Sequence, residues 1–286
     1  MTDQAETLRQ LVRAKERATP SPRARSLVFT SGKGGVGTSN IALNLALALG
    51  ELGKSVTLVD ADFGLANIDL LCGVAPKFDL GDVLSSHRPL TDAMLTGPFG
   101  VRILAGAHGT RTLGDVLAEA PKRLIQELTE IEADSDFLLI DAGSGLNPSI
   151  AKLSHAVDST ILVTTPEPTS MADAQAALRR FVPHTLVRLI VNQTDSKSEA
   201  EECLDDLAAN SRQFLGLVVS PLGFVRTDSH VPRAVRCREP FFTAYPKSAA
   251  ARDVRRLAKT LLQERRGRTL RAGLFSRLAA RWRAAG

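Results

Sequence analysis

The chemistry-bearing residues of this 286-residue chain gather at the ends of its apolar runs. Directly after the run SLVFT comes SGKGGVGTSN, followed by the apolar stretch IALNLALAL. Within it Gly34, Gly35 and Gly37 let the backbone turn tightly and aim its N–H groups at one place, while the N-terminus of the following helix adds positive potential. Such an array suits phosphate oxygens. Lys33 precedes the glycines, and Ser39 stands where a phosphate-binding loop keeps its magnesium-binding hydroxyl. Two further runs end in carboxylates: SVTLVD leads to Asp60 and, two residues on, Asp62, and DFLLID ends at Asp141. Carboxylates at the tips of buried strands are costly unless something positive or hydrogen-bonding meets them, and a hydrated magnesium ion beside the loop would do so.

These residues need a scaffold that brings strand ends together. From Ser26 onward, short β-branched or apolar runs (SLVFT, SVTLVD, VRILAG, DFLLID, STILVTTP, VRLIVNQ and FLGLVVS) alternate with helical stretches such as 39–52, 115–131, 169–181 and 197–212. The strands are continuous hydrophobic runs rather than strict alternations, so they are expected to be buried on both faces. That pattern predicts an α/β fold, a mostly parallel twisted sheet of about seven to eight strands with helices on both sides. Ligands of such sheets sit at the carboxyl ends of the strands, where the glycine loop and the aspartates fall.

The segment KGGVGTS resembles the deviant Walker A motif of the MinD/ParA family of P-loop ATPases. The resemblance implies binding of ATP and Mg2+ through Gly32, Lys33, Gly34, Gly35, Val36, Gly37, Thr38 and Ser39. It implies that Lys33 reaches across a nucleotide-sandwiched homodimer to the partner's phosphates. Asp60 and Asp62, with the following FGLANIDLL, resemble the family's first switch: Asp62 then orients the attacking water, and Asp60 helps to hold the waters of the metal. Asp141 with AGSGL resembles Walker B and the second switch, which makes Ser39, Asp60 and Asp141 the metal set. By the same resemblance Asn67 touches the nucleotide or partner across the dimer and Asn192 contacts the adenine, although an Asn at a strand end also serves simply to make a turn. The chain departs from the pattern at Thr38, where the family keeps a second lysine on the β and γ phosphates. Loss of one such donor to the transition state costs on the order of 3 kcal/mol, so both a slow ATPase and a hydrolysis-defective nucleotide-gated scaffold stay open. A second departure is Arg226, in a segment where the family usually closes a Pro over the base.

The two ends carry their own signals. Residues 1–17 show helical spacing, and DQAETLR matches the DQAxxLR signature of the family's flagellar placement branch at Asp3, Gln4, Ala5, Leu8 and Arg9. In that branch the signature stimulates the signal-recognition-type GTPase FlhF. Residues 18–25, with two prolines, form a linker, and 26–267 the P-loop domain. At 268–286, GLFSRLAARWR puts Leu274, Phe275, Leu278 and Trp282 on one helical face with Arg277, Arg281 and Arg283 toward its flanks, a pattern for a helix in a membrane interface. The same pattern fits a helix packed on the protein's own surface, and the two can alternate. Two copies in an ATP-bound dimer would gain avidity for acidic lipid.

Composition narrows the field. The net charge is +5, and seven arginines lie between Arg265 and Arg283 with no acidic residue after Glu264. The N-terminal segment is polar where a secretory signal needs an apolar core, and no run of about 18 apolar residues occurs, so a cytoplasmic protein associating reversibly with the membrane is expected. Cys72, Cys203 and Cys237 show no CxxC spacing, which excludes the iron–sulfur branches of the family. The expected role is an ATP-dependent switch in flagellar number or placement, working with an FlhF-type GTPase and other basal-body or regulatory proteins. The alternative is a ParA-like DNA-partition ATPase using Arg179, Arg180, Arg212, Arg233 and Arg236 on phosphates; as these also fit solvated helix faces, nucleic acid is not the expected partner.

Overall fold

A computed structural model of the chain describes residues 24–62, 67–86, 88–106, 122–145, 148–181, 186–264, 273–275 and 277–278. The N-terminal helix, most of the linker, Trp282, Arg281 and Arg283 lie outside the described residues, as do Asp3, Gln4, Ala5, Leu8 and Arg9.

Strand β1 (Arg25–Ser31) opens the domain and is buried at every position. It leads through the glycine loop into α1 (Thr38–Glu51), whose apolar residues from Ile41 to Leu49 are fully buried. Next come β2 (Val56–Asp60), α2 (Ile68–Cys72), α3 (Leu80–Ser86), β3 (Met94–Thr96), β4 (Arg102–Leu104), α4 (Lys122–Ala133) and β5 (Phe137–Ser144). The second half comprises α5 (Pro148–Ser154), β6 (Ser159–Thr164), α6 (Pro168–Leu178), β7 (Val187–Thr194), α7 (Lys197–Leu215), β8 (Val219–Arg226), α8 (His230–Cys237), α9 (Phe241–Ala244) and α10 (Ala249–Gln263). The eight strands form one sheet in the order β3-β4-β2-β5-β1-β6-β7-β8, parallel throughout except for the antiparallel β3–β4 pair at one edge. The expected α/β architecture is therefore present. Because β1 lies between β5 and β6, the chain reverses its direction of winding around β1, and the crevice for a ligand opens at the carboxyl end of that strand.

Two apolar layers sandwich the middle of the sheet. On one side α1 and α10 pack against Leu27, Phe29, Leu58 and Leu139. On the other, α4 and α5 cover Val28, Val59, Leu138 and Ile140. This second layer also holds Leu274, Phe275 and Leu278, each with no exposed surface. Their backbone is pinned by the Leu274 N–H, which donates to Glu132 Oε1 at 2.9 Å, and the Arg277 guanidinium donates to the carbonyl of Ala156. Among the described residues, Leu274, Phe275 and Leu278 are thus turned into the protein, which is the second of the two placements their amphipathic pattern allows.

One strand boundary differs from expectation. The run FLGLVVS does not form a single strand: α7 continues through Leu215, Gly216 ends it in a left-handed conformation (φ 61°), and β8 starts at Val219. Phe214, expected inside, is 70% exposed. Helix 197–212 therefore runs three residues further, while the expected 115–131 helix is described from Lys122 onward. The edge strand β3 was not expected.

Candidate nucleotide site

The glycine loop leaves β1 at Ser31 and enters α1 at Thr38, with Gly35 (φ 84°) and Gly37 (φ 90°) in the left-handed region that side chains rarely adopt. A Cβ on Gly37 would lie 2.5 Å from Asn192 Nδ2, and one on Gly32 only 2.2 Å from the carbonyl carbon of Asp173 on α6. The loop is thus clasped between the end of β7 and the middle of α6. Asn192 is buried, and its amide donates to the carbonyl of Val36 at 2.8 Å, so it braces the loop from within. Val36 itself is buried, while Gly34 and Gly35 are open to solvent.

Asp60 and Asp141 occupy partnered positions on the adjacent strands β2 and β5. Burial pushes the Asp60 carboxyl up to about 7, the neighbouring Asp141 adds to the rise, and N–H groups from Ile68, Asp62 and Asn67 pull against it. Those donors lie 3.1, 3.2 and 3.0 Å from its oxygens, so Asp60 anchors both sides of the segment it begins. Burial likewise raises Asp141 to about 6 against the Ser39 hydroxyl and the Gly143 N–H, with Asp62 contributing in the upward direction. Asp62 packs against the end of β5: a Cβ on Gly143 (φ 68°) would sit 2.3 Å from Asp62 Oδ2.

These pieces converge on one cleft of about 500 Å³, lined by Gly34, Gly35, Gly37, Thr38, Ser39, Asp62, Asn67 and Ser144 among others. Asn67 stands at the N-terminus of α2 as its cap position. Two buried oxygens facing this region, Thr38 Oγ1 and Asp141 Oδ2, have no hydrogen-bond partner among the described residues. A polyphosphate and a hydrated divalent cation are groups that would satisfy them, so the donor set fits Mg2+ and a nucleotide.

Lys33 does not point into the cleft. Its ammonium is held by Glu167 Oε2 at 2.9 Å and Thr169 Oγ1 at 3.1 Å, at the start of α6. Neither partner stood out in the sequence, where PEPTS is an ordinary helix start. Arg226 is likewise committed, gripping the fully buried Asp253 through two bonds of 2.7 and 2.9 Å. Arg179, Arg180, Arg212, Arg233 and Arg236 are exposed.

Comparison with known proteins agrees with this architecture. The ParA family profile, described as NUBPL iron-transfer P-loop NTPase, matches residues 23–262. Antiactivator FleN of Pseudomonas aeruginosa is 36% identical over 228 residues, covering 79% of this chain and 81% of FleN. The flagellum site-determining protein YlxH of Helicobacter pylori is 28% identical over 243 residues, covering 83% and 82% respectively. Among solved structures, the septum site-determining protein MinD from Pyrococcus horikoshii, complexed with Mg-ADP, superposes with a TM-score of 0.66 at 27% identity, covering 84% of this chain and 96% of that one. With the glycine loop, the paired aspartates and the strand order in agreement, this chain belongs to the ParA/MinD family of P-loop NTPases.

Proposed function

We propose that this chain is an ATPase switch that dimerises on ATP, associates reversibly with the cytoplasmic membrane and regulates flagellar number or placement. The observation that carries the chemistry is the convergence of the phosphate loop, Ser39 and Asp62 on one cleft, with the Asp60–Asp141 pair behind it. The flagellar role follows from likeness to FleN and YlxH.

In this reading the loop N–H groups and the N-terminus of α1 hold the phosphates. Ser39, Asp60 and Asp141 would hold Mg2+, which would supply charge neutralisation at the phosphates. Asp62 orients the attacking water. Lys33 leaves Glu167 and Thr169 for the phosphates bound by a second copy, so dimer formation exchanges one charge partner for another. Asn67 touches the nucleotide or the partner across the dimer, and Asn192, whose amide braces the loop at Val36, contacts the adenine. The helix bearing Leu274, Phe275 and Leu278 leaves its groove in the nucleotide-bound state and, with Trp282, Arg277 and Arg281, inserts at an acidic lipid surface. Asp3, Gln4, Ala5, Leu8 and Arg9 engage an FlhF-type GTPase. Thr38 favours a second reading, a nucleotide-gated scaffold that dimerises with little turnover; it shares every step except hydrolysis.

The test is light scattering of the full chain with ATP, ADP or no nucleotide, beside flotation with vesicles containing anionic phospholipid. ATP-dependent dimers that float, and ADP-bound monomers that do not, are expected. A chain that stays monomeric with Mg2+·ATP under conditions of full occupancy contradicts the proposal.

A further inference from the structure

Among the described residues that line the nucleotide cleft, Arg238 is the only cation. It sits at the C-terminal end of α8 and lines the same cleft as the glycine loop and Leu70 and Leu71 of α2. Its backbone is left-handed (φ 56°, ψ 43°), a conformation uncommon for residues other than glycine, at a helix end where glycine is the usual choice. Its carbonyl oxygen lies 2.5 Å from where a Cβ on Gly73 would be, so the ends of α8 and α2 abut and fix the position of Arg238. The side chain is exposed, and among the described residues no hydrogen bond or salt bridge engages its guanidinium.

The charge balance of the cleft gives this residue a task. A nucleoside triphosphate brings several negative charges, and the loop position that would carry a lysine holds Thr38. Lys33 is bound to Glu167 and Arg226 to Asp253. A strained backbone retained where glycine would fit better points to a use for the side chain. We infer that Arg238 is the cation that meets the phosphate chain of the bound nucleotide, replacing from α8 the charge that Thr38 lacks in the loop. This rests on the nucleotide reading above. A guanidinium forms forked, charge-assisted hydrogen bonds with phosphate oxygens and stays protonated throughout the working pH range.

The experiment measures binding of a fluorescent ATP analogue with Mg2+ by the full chain and by Arg238→Gly, Arg238→Gln and Arg238→Lys, together with thermal melting of each. Arg238→Gly relieves the left-handed strain, so its melting temperature should hold or rise while affinity falls by about tenfold or more. Arg238→Gln should bind equally weakly, Arg238→Lys should recover part of the loss, and adding Thr38→Lys to Arg238→Gly should restore binding. Affinity of both neutral variants within about twofold of wild type at low ionic strength would overturn the inference alone. Wild type that binds no Mg2+·ATP would overturn the nucleotide reading and this inference with it.

Discussion

Replacing Glu132 with Ala should loosen the C-terminal helix without altering the helix itself. Docking of that helix is a near-balance. Full burial of Leu274, Phe275 and Leu278 contributes about 1.5–3 kcal/mol each, or roughly 5–9 kcal/mol together. The hydrogen bonds from the Leu274 N–H to Glu132 and from Arg277 to Ala156 add about 2–4 kcal/mol between them. Ordering on the order of six residues costs about 6–12 kcal/mol, which leaves a margin of only about 1 kcal/mol. Losing the Glu132 acceptor removes about 1.5–3 kcal/mol, an increase of about tenfold to a hundredfold in the open state. Hydrogen exchange followed by mass spectrometry should report this as faster exchange at 273–278, and flotation should show nucleotide-independent binding to anionic vesicles. Leu278→Ala is the control. It opens the groove by about 3 kcal/mol but weakens the lipid-facing side as well, so exchange should accelerate without gain in flotation. If Glu132→Ala lowers the global melting temperature while 273–278 stays protected and vesicles remain unbound, the helix is a fixed part of the core and the release argument is refuted.

Three further outcomes are expected. Gly37→Ala must force a left-handed residue against Asn192, so it should cost about 1–3 kcal/mol of stability, read by chemical denaturation, and abolish detectable nucleotide binding. Glu167→Ala removes a solvent-exposed pair worth no more than about 1 kcal/mol, so melting should barely move, whereas ATP-dependent dimerisation should become more favourable because Lys33 no longer has to leave a partner. Without nucleotide and metal, Asp60 and Asp141 are raised to about 7 and about 6, above their values in an unfolded chain. The native protein therefore binds more protons than the unfolded one between pH 7 and 4, and stability should rise as pH falls through that window. Asp60→Asn should flatten the rise, and a denaturation series across pH 5–8 checks it.

The parts of the account legible in sequence are those where local chemistry and position coincide. A buried parallel strand leaves a continuous apolar run, as at Leu27–Val28–Phe29, and a glycine loop between strand and helix leaves its residues in order. The aspartates were found because strand tips place them together. What escaped depends on contacts distant in sequence. Glu167 holds Lys33 across 134 positions, and Arg238 enters the cleft because α8 abuts α2; no spacing encodes either. The helix around Leu274 shows a limit of another kind, since an amphipathic pattern specifies an apolar partner and not whether that partner is lipid or the protein's own sheet. At FLGLVVS the expected strand and the structure differ for a local cause: Gly216 caps α7, and Phe214 is simply an exposed apolar residue.

The central claim, that this family member is a working switch despite Thr38, is tested most directly by single-turnover ATP hydrolysis on the full chain with anionic vesicles, beside Asp62→Ala and Thr38→Lys. The account predicts that wild type cleaves bound ATP, that Asp62→Ala dimerises with ATP but cleaves at least about a hundredfold more slowly, and that Thr38→Lys is faster than wild type. Wild type that binds ATP and dimerises while leaving it intact contradicts the ATPase and makes the chain a nucleotide-gated scaffold.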